Sequence, residues 1–197
     1  VSDGAATAQS TVTITVEDTQ APTFTVAPAV QLWEPNHTYH RFTLSQILTS
    51  LSDGCDDAQS ISTYITSVTS DEEEDAIGDG NTLEDMVIVD CQTVDLRAER
   101  AGMRNGRVYT VHFVAKDASD NMTPGMFKGG VPKSASAGPA VEDAVLYTVT
   151  SACPASPKGG VRTAATAVTL DLGQNFPNPF NPSTTIRYAL PVDGHAA

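Results

Sequence analysis

The 197 residues carry a formal net charge of −13, a balance that excludes nucleic acid as a partner, because neutralising a phosphate backbone takes clustered Lys and Arg. A divalent cation suits that charge better. No apolar run approaches the roughly 18 to 20 residues of a membrane span, so no membrane span is expected, and residue 1 opens no signal-peptide pattern. The chain therefore reads as a protein whose leader was removed or as a piece of a longer one.

Val, Thr, Ser and Ala dominate alongside 14 Gly and 12 Pro, and no long stretch shows helical periodicity. That combination predicts an all-β class with many turns and little helix. In "AQSTVTITVEDTQAPTF", Val12, Ile14 and Val16 alternate with Thr11, Thr13 and Thr15, the period-two signature of a half-buried strand. Glu17, Asp18 and then Pro22 end it, since proline cannot donate to a ladder. The stretch resembles the last strand and junction of tandem immunoglobulin-like repeats of bacterial surface proteins, where "VTVxDxxxP" passes from one module to the next. On that resemblance residues 1–18 close a preceding module. The alternative makes them the first strand of the present domain.

From Thr19 to Cys153 strands are predicted at 23–32, 39–48, 60–69, 86–90, 93–99, 107–116 and 144–151, separated by "SDGCDD", "GDGN", "AGMRNG" and "ASDN". Short strands at this spacing read as a β-sandwich over 19–153. In "GRVYTVHFVAKD", Tyr109, Val111, Phe113 and Ala115 share one face and should be core, with Thr110 and His112 on the other. Trp33, the only tryptophan, is expected to be buried under the edge of the sandwich with its N–H partnered.

The segments "LWEPNHTYHRFTL", "SVTSDEEEDAIGDGNTLEDMVIVDCQTVDLRAERAGMRNGRVYTVHFVAKDASDN" and "YTVTSAC" resemble one family of extracellular immunoglobulin-like (HYR/cadherin-like) modules of multidomain bacterial proteins. That family's pattern runs W-P-P-N-H-K, S-D-E-P with G-D-G-N, L-R-A-E-R-x-G-x-G-x-G-R-V-Y, then D-A-S-G-N. The resemblance spans roughly 33–153 and implies an immunoglobulin-like β-sandwich without catalysis. Glu34 stands where the family has a proline, Asp120 where it has a glycine, and "VPKSASAGPAVEDA" where a histidine-containing segment is common.

"SDEEEDAIGDGNTLED" gathers Asp71, Glu72, Glu73, Glu74, Asp75, Asp79, Glu84 and Asp85 on one loop with two glycines. Hard oxygen donors on such a loop suit Ca²⁺, although the spacing is not that of an EF-hand. Asp75, Asp79, Asn81 and Asp85 are the candidate calcium ligands. The competing reading pairs the loop with Arg97, Arg100, Arg104 and Arg107, or leaves it solvated. A second acidic set, Asp53, Asp56 and Asp57 with Asp117, Asp120 and Asn121, fits Asx turns better than metal binding. Glu17 and Asp18 sit where cadherin-like linkers hold calcium, but the asparagine-rich linker pattern is missing.

His37, His40 and His112 with Glu34 lack metalloprotease spacing. There is no G-x-S-x-G elbow, no Cys with a plausible His partner and no phosphate-binding glycine loop, so no enzyme activity is expected. Cys55, Cys91 and Cys153 are an odd set. One disulfide is expected in a secreted chain, Cys55 with Cys91 being the first choice and Cys55 with Cys153 the rival.

After Cys153, "PASPKGGVRTAATAV" cannot bury a core, and 154–168 reads as a flexible linker. In "LGQNFPNPFNPSTTIRYALP" the prolines fix an extended lead-in and the Asn side chains cap turns before a strand at Thr184 to Leu190. This stretch closely resembles the start of the C-terminal sorting domain of type IX secretion cargo in Bacteroidetes-like Gram-negative bacteria. The resemblance assigns the signal to Asn175, Pro177, Asn178, Pro179, Phe180, Asn181 and Pro182. It implies the outer-membrane export machinery as a partner and a secreted or cell-surface location, with residues 169–197 a truncated sorting domain. The expected function is a non-catalytic structural or adhesive module beside neighbouring modules of its kind. Alternatives are a subunit of an extracellular filament built by strand donation between copies, and, lower, a carbohydrate-binding accessory of a secreted hydrolase.

Overall fold

The strand predicted from the clearest alternation is one of the two longest among the described residues. In the computed structural model, which describes residues 17–153 and the short strands at 171–172 and 188–189, Gly106–Lys116 forms an eleven-residue strand. In chain order the strands are β1 (Thr23–Val26), β2 (Val30–Gln31), β3 (Tyr39–Thr43), β4 (Leu48–Ser52), β5 (Ser62–Ser70), β6 (Met86–Asp90), β7 (Thr93–Arg97), β8 (Gly106–Lys116), β9 (Met122–Pro132) and β10 (Tyr147–Thr150), with one helical turn, α1 (Leu44–Ile47), between β3 and β4. The chain divides into two units, one of them running from Glu17 to Lys158. In the other, β11 (Asp171–Leu172) pairs antiparallel with β12 (Tyr188–Ala189). The expected strand before Glu17, the linker and the sorting signal from Asn175 to Pro182 lie outside the described residues.

The main unit is all-β. A five-stranded sheet in the order β10-β5-β8-β9-β2 faces a three-stranded sheet in the order β3-β7-β6, and β1 pairs with β4. All pairings are antiparallel except β2 with β9. The core lies between the two sheets, where Ile65, Val68, Tyr109, Val111, Phe113, Phe127 and Val131 meet Met86, Val94 and Leu96. Tyr109, Val111, Phe113 and Ala115 are all buried as expected. Phe42 of β3 packs on Phe127 of β9 with ring centroids 5.4 Å apart, tying the layers together.

Three expectations are corrected. The single strand predicted at 39–48 stops at Thr43, because a capping box between Thr43 and Gln46 starts α1. Burying Leu44 and Ile47 repays that turn. Second, β9 was not predicted at all. Its sequence, MTPGMFKGGVP, holds three glycines and two prolines, which weaken a strand on propensity alone. Tertiary packing needs them: a Cβ on Gly125 would come within 2.4 Å of the Phe113 ring and 2.6 Å of the Phe24 ring. Third, Trp33 is 43% exposed rather than buried. Leu32 takes the inward position beside it, its N–H donating to the Gly130 carbonyl at 2.8 Å, and alternation turns Trp33 outward.

The disulfide joins Cys91 to Cys153 with Cα atoms 5.5 Å apart, and Cys55 is free and exposed. Neither the Cys55–Cys91 pairing nor the Cys55–Cys153 rival forms. The reason is β5, which brings the two bonded cysteines together: Ile65 N–H donates to the Cys91 carbonyl at 2.8 Å and Ser151 N–H to the Thr66 carbonyl at 2.9 Å. Cys55 instead sits on the loop after β4, next to Asp53, whose Oδ1 accepts its N–H at 2.8 Å.

Candidate functional site

Strand register puts the loops that follow β5, β7 and β9 at one pole of the main unit and the β8–β9 turn, near Asp53 and Asp56, at the other. The first pole concentrates the charged chemistry. Arg107 is the second residue of β8 and has no exposed surface. Its Nε donates to Glu72 Oε2 at 3.1 Å, its Nη1 to Asp85 Oδ2 and, at 3.2 Å, to the Tyr109 hydroxyl oxygen, and its Nη2 to the Glu73 carbonyl at 3.0 Å. Asp79 Oδ2 lies 3.7 Å from the same guanidinium. A delocalised, weakly hydrated guanidinium with five donors is the cation best able to serve several buried oxygens at once.

Arg97, at the end of β7, bridges outward from this centre. Its Nε lies 3.5 Å from Asp85 Oδ1 and 3.6 Å from Glu99 Oε2. Its remaining nitrogens donate to the carbonyls of His37 and Leu83 and to the Tyr39 hydroxyl, and the guanidinium stacks 4.3 Å from the Tyr39 ring centroid. Glu99 also accepts from Thr82 and pairs with His37 Nδ1 at 3.1 Å. His37 occupies a left-handed conformation at φ 62°. Gly80, at φ 110°, makes room for its ring, since a Cβ there would approach His37 Cε1 to 2.6 Å.

The carboxylates also tie loop backbone in place. Glu72 Oε2 accepts Ala101 N–H at 2.6 Å, Asp71 accepts Val108 N–H at 2.7 Å and Asp143 N–H at 3.0 Å, and Asp79 Oδ2 accepts Ala76 N–H at 2.5 Å. Burial pushes Asp85 up to about 6, against the opposing pull of its hydrogen bond from Arg107. Burial likewise lifts Asp71, and the Tyr109 phenol well above its ordinary value.

Of the four expected calcium ligands, the structure brings Asp79 and Asp85 together and leaves Asp75 and Asn81 exposed. Asn81 is a turn residue at φ 61° whose N–H donates to Asp79 Oδ1 at 3.1 Å. The third carboxylate that converges with Asp79 and Asp85 is Glu99, each offering an oxygen within 4.8 Å of the others. Sequence reading missed it because Glu99 lies far along the chain in "LRAER", next to the arginines. The signal was its place one residue beyond Ala98, at the end of a strand whose inward residues are fully buried. An open cavity of about 240 Å³ adjoins this set, lined by Pro35, His37, Gly78, Asp79, Gly80, Glu99 and Arg100.

At the other pole the acidic residues build turns. Asp53 Oδ1 accepts Cys55 and Asp56 N–H, Asp117 Oδ1 accepts Ser119 and Asn121 N–H, and Asp56 Oδ2 accepts Ala118 N–H. Asn121 Nδ2 donates to the Asp18 carbonyl at 3.2 Å, fastening the incoming chain. His112, whose pKa burial lowers, lies on β8 with Nε2 3.3 Å from Thr69 Oγ1. Among the described residues, no convergent set of three metal-ligating side chains includes a histidine. Comparison with protein-family models, with curated proteins and with solved structures finds no match to this chain.

Proposed function

We propose that this chain is a non-catalytic, immunoglobulin-like structural module of a secreted or surface-anchored bacterial protein exported by type IX secretion. The observation that carries the reading is how the charged pole is spent. Arg97 and Arg107 donate to carbonyls of His37, Glu73 and Leu83, and Glu72, Asp71 and Asp79 accept backbone N–H groups. These groups fix the loops between strands, where a hydrolytic site would hold a nucleophile and its base within reach of a substrate. Two facing sheets around one core suit an immunoglobulin-like sandwich. A disulfide suits an oxidising compartment, and the sequence from Asn175 to Pro182 supplies the export signal by its likeness to sorting domains.

The filament reading draws support from one feature: β2 covers the outer flank of β9 only at Gly129 and Gly130. An open flank can accept a strand from another copy. Pro124 interrupts it, however, and lacks an N–H to offer. A carbohydrate-binding accessory would present a platform of free aromatic rings; Trp33 is exposed, but the other exposed ring, Tyr39, is covered by Arg97 and donates its hydroxyl to the Glu84 carbonyl.

Light scattering and negative-stain imaging of the purified protein decide between these readings. A monodisperse monomer is expected. Large ordered assemblies would overturn the spacer reading and establish the filament in its place.

A further inference from the structure

The ionic pole is short of positive charge. Asp71, Glu72, Asp79, Asp85 and Glu99 are all at most 4% exposed. The guanidiniums that reach this region are those of Arg97, Arg100 and Arg107, and Arg100 donates to the carbonyls of Pro132 and Ala101. Five carboxylates against three guanidiniums leave two negative charges without a fixed counter-charge, in surroundings where an uncompensated ion is costly.

The shortfall shows at particular atoms. Glu99 Oε1, Asp85 Oδ1 and Glu72 Oε1 are buried and accept no hydrogen bond. Two of these three carboxylates, Glu99 and Asp85, belong to the set whose oxygens converge with Asp79 within 4.8 Å, and Glu99 and Asp79 also line the open cavity. Fully buried side chains with unclaimed oxygens, beside a solvent-reachable space, are hard donors within reach of a cation.

We propose that this pole binds a divalent cation of the calcium type through Glu99, Asp79 and Asp85. Two positive charges balance the two uncompensated carboxylates. Ca²⁺ accepts an irregular shell of carboxylate, carbonyl and water oxygens, whereas Mg²⁺ demands a near-octahedral one and keeps its waters. His37, whose side chain is 47% exposed and whose Nδ1 lies 3.1 Å from Glu99 Oε2, occupies the solvent side and must yield as the cation enters. Arg97 Nε, 3.5 to 3.6 Å from Asp85 and Glu99, opposes the ion, so affinity belongs in the range of about 10⁻⁴ to 10⁻³ M found for extracellular modules. This site is independent of the export reading.

Thermal melts and terbium-luminescence titrations of the purified protein at neutral pH, in EDTA, millimolar Ca²⁺ or millimolar Mg²⁺, test it. Calcium should raise Tm by about 3–5 °C and magnesium by less. Glu99→Gln should abolish the calcium-dependent rise with the circular dichroism spectrum unchanged, and Asp75→Asn should leave the rise intact. If Glu99→Gln does not fold, NMR of the wild-type protein gives the answer, because the amides of Gly78 and Gly80 should shift during calcium titration. No calcium-dependent rise and no terbium signal would overturn the proposal. So would calcium dependence that survives Glu99→Gln and disappears in Asp117→Asn, since that places the ion at the opposite pole.

Discussion

Replacing Arg107 with methionine removes the charge that holds the ionic pole while keeping most of the side-chain volume. In the native protein this fully buried guanidinium contacts Glu72 at 3.1 Å, Asp79 at 3.7 Å and Asp85. Without it three carboxylates lie buried with one fewer counter-charge, and removing one partner from such a buried ionic set costs about 3–5 kcal/mol. Domains are stable by only about 5–15 kcal/mol, so Arg107→Met consumes a large share. With a urea m-value of about 2 kcal/mol/M, the unfolding midpoint at pH 7 should fall by about 1.5–2.5 M. The loss should shrink as pH drops toward 5, because protonating the stranded carboxylates removes the uncompensated charge. Arg41→Met is the control: Arg41 pairs with Asp95 on the surface and is 62% exposed, so solvent screening should leave its unfolding midpoint close to that of the wild type. Urea denaturation followed by tryptophan fluorescence at two pH values reads both. A loss below about 1 kcal/mol for Arg107→Met, or one that does not change with pH, would refute the account of a charge-dependent pole.

Two further outcomes follow from the same structure. Cys153→Ser opens a loop closed by cysteines 62 residues apart, which the chain-entropy relation places at about 4 kcal/mol; Cys55→Ser should leave the denaturation midpoint unchanged, and a native-state thiol assay of the wild type should find one reactive group. A Cys153→Ser protein as stable as wild type would contradict the pairing. Burial raises the Asp85 carboxyl from its ordinary value of 3.8 to about 6 in the fold, so the folded state holds its proton more tightly than the unfolded chain, and the stability this contributes is present below about pH 4 and lost as pH rises through about 6. Asp85→Asn should flatten that part of the Tm-against-pH curve, and a slope unchanged by the substitution would assign it to other groups.

Strand β8 could be read from the sequence because one face of it is buried without interruption, and period-two alternation is then the whole signal. The reading failed where a tertiary neighbour sets the residue type. Gly125 is small because Phe113 and Phe24 crowd it, and from sequence alone it looks like a turn. Cysteine pairing failed for a related reason: Cys91 and Cys153 meet through a third element, β5, which no spacing between cysteines encodes. The acidic loop was legible as a charged region and as an arginine partner. Its geometry was not, because Glu99 arrives from a different strand and Asn81 serves as a turn residue. Charge identifies the pole, whereas backbone conformation decides which oxygens face inward.

The disulfide has a mechanical consequence for any protein in which this unit is a link. A pull applied between residue 17 and the chain beyond Cys153 passes from Cys91 across the sulfur bridge to Cys153, and the residues between the two cysteines carry no tension. That covalent shortcut removes about 200 Å of extensible chain, taking roughly 3.3 Å per residue over the 62-residue separation. Strands β7, β8, β9 and β10, with Arg97, Glu99 and Arg107, lie inside the shielded loop, whereas Asp71, Glu72, Asp79 and Asp85 lie before Cys91, so under load the unit would give way first in the segment before Cys91.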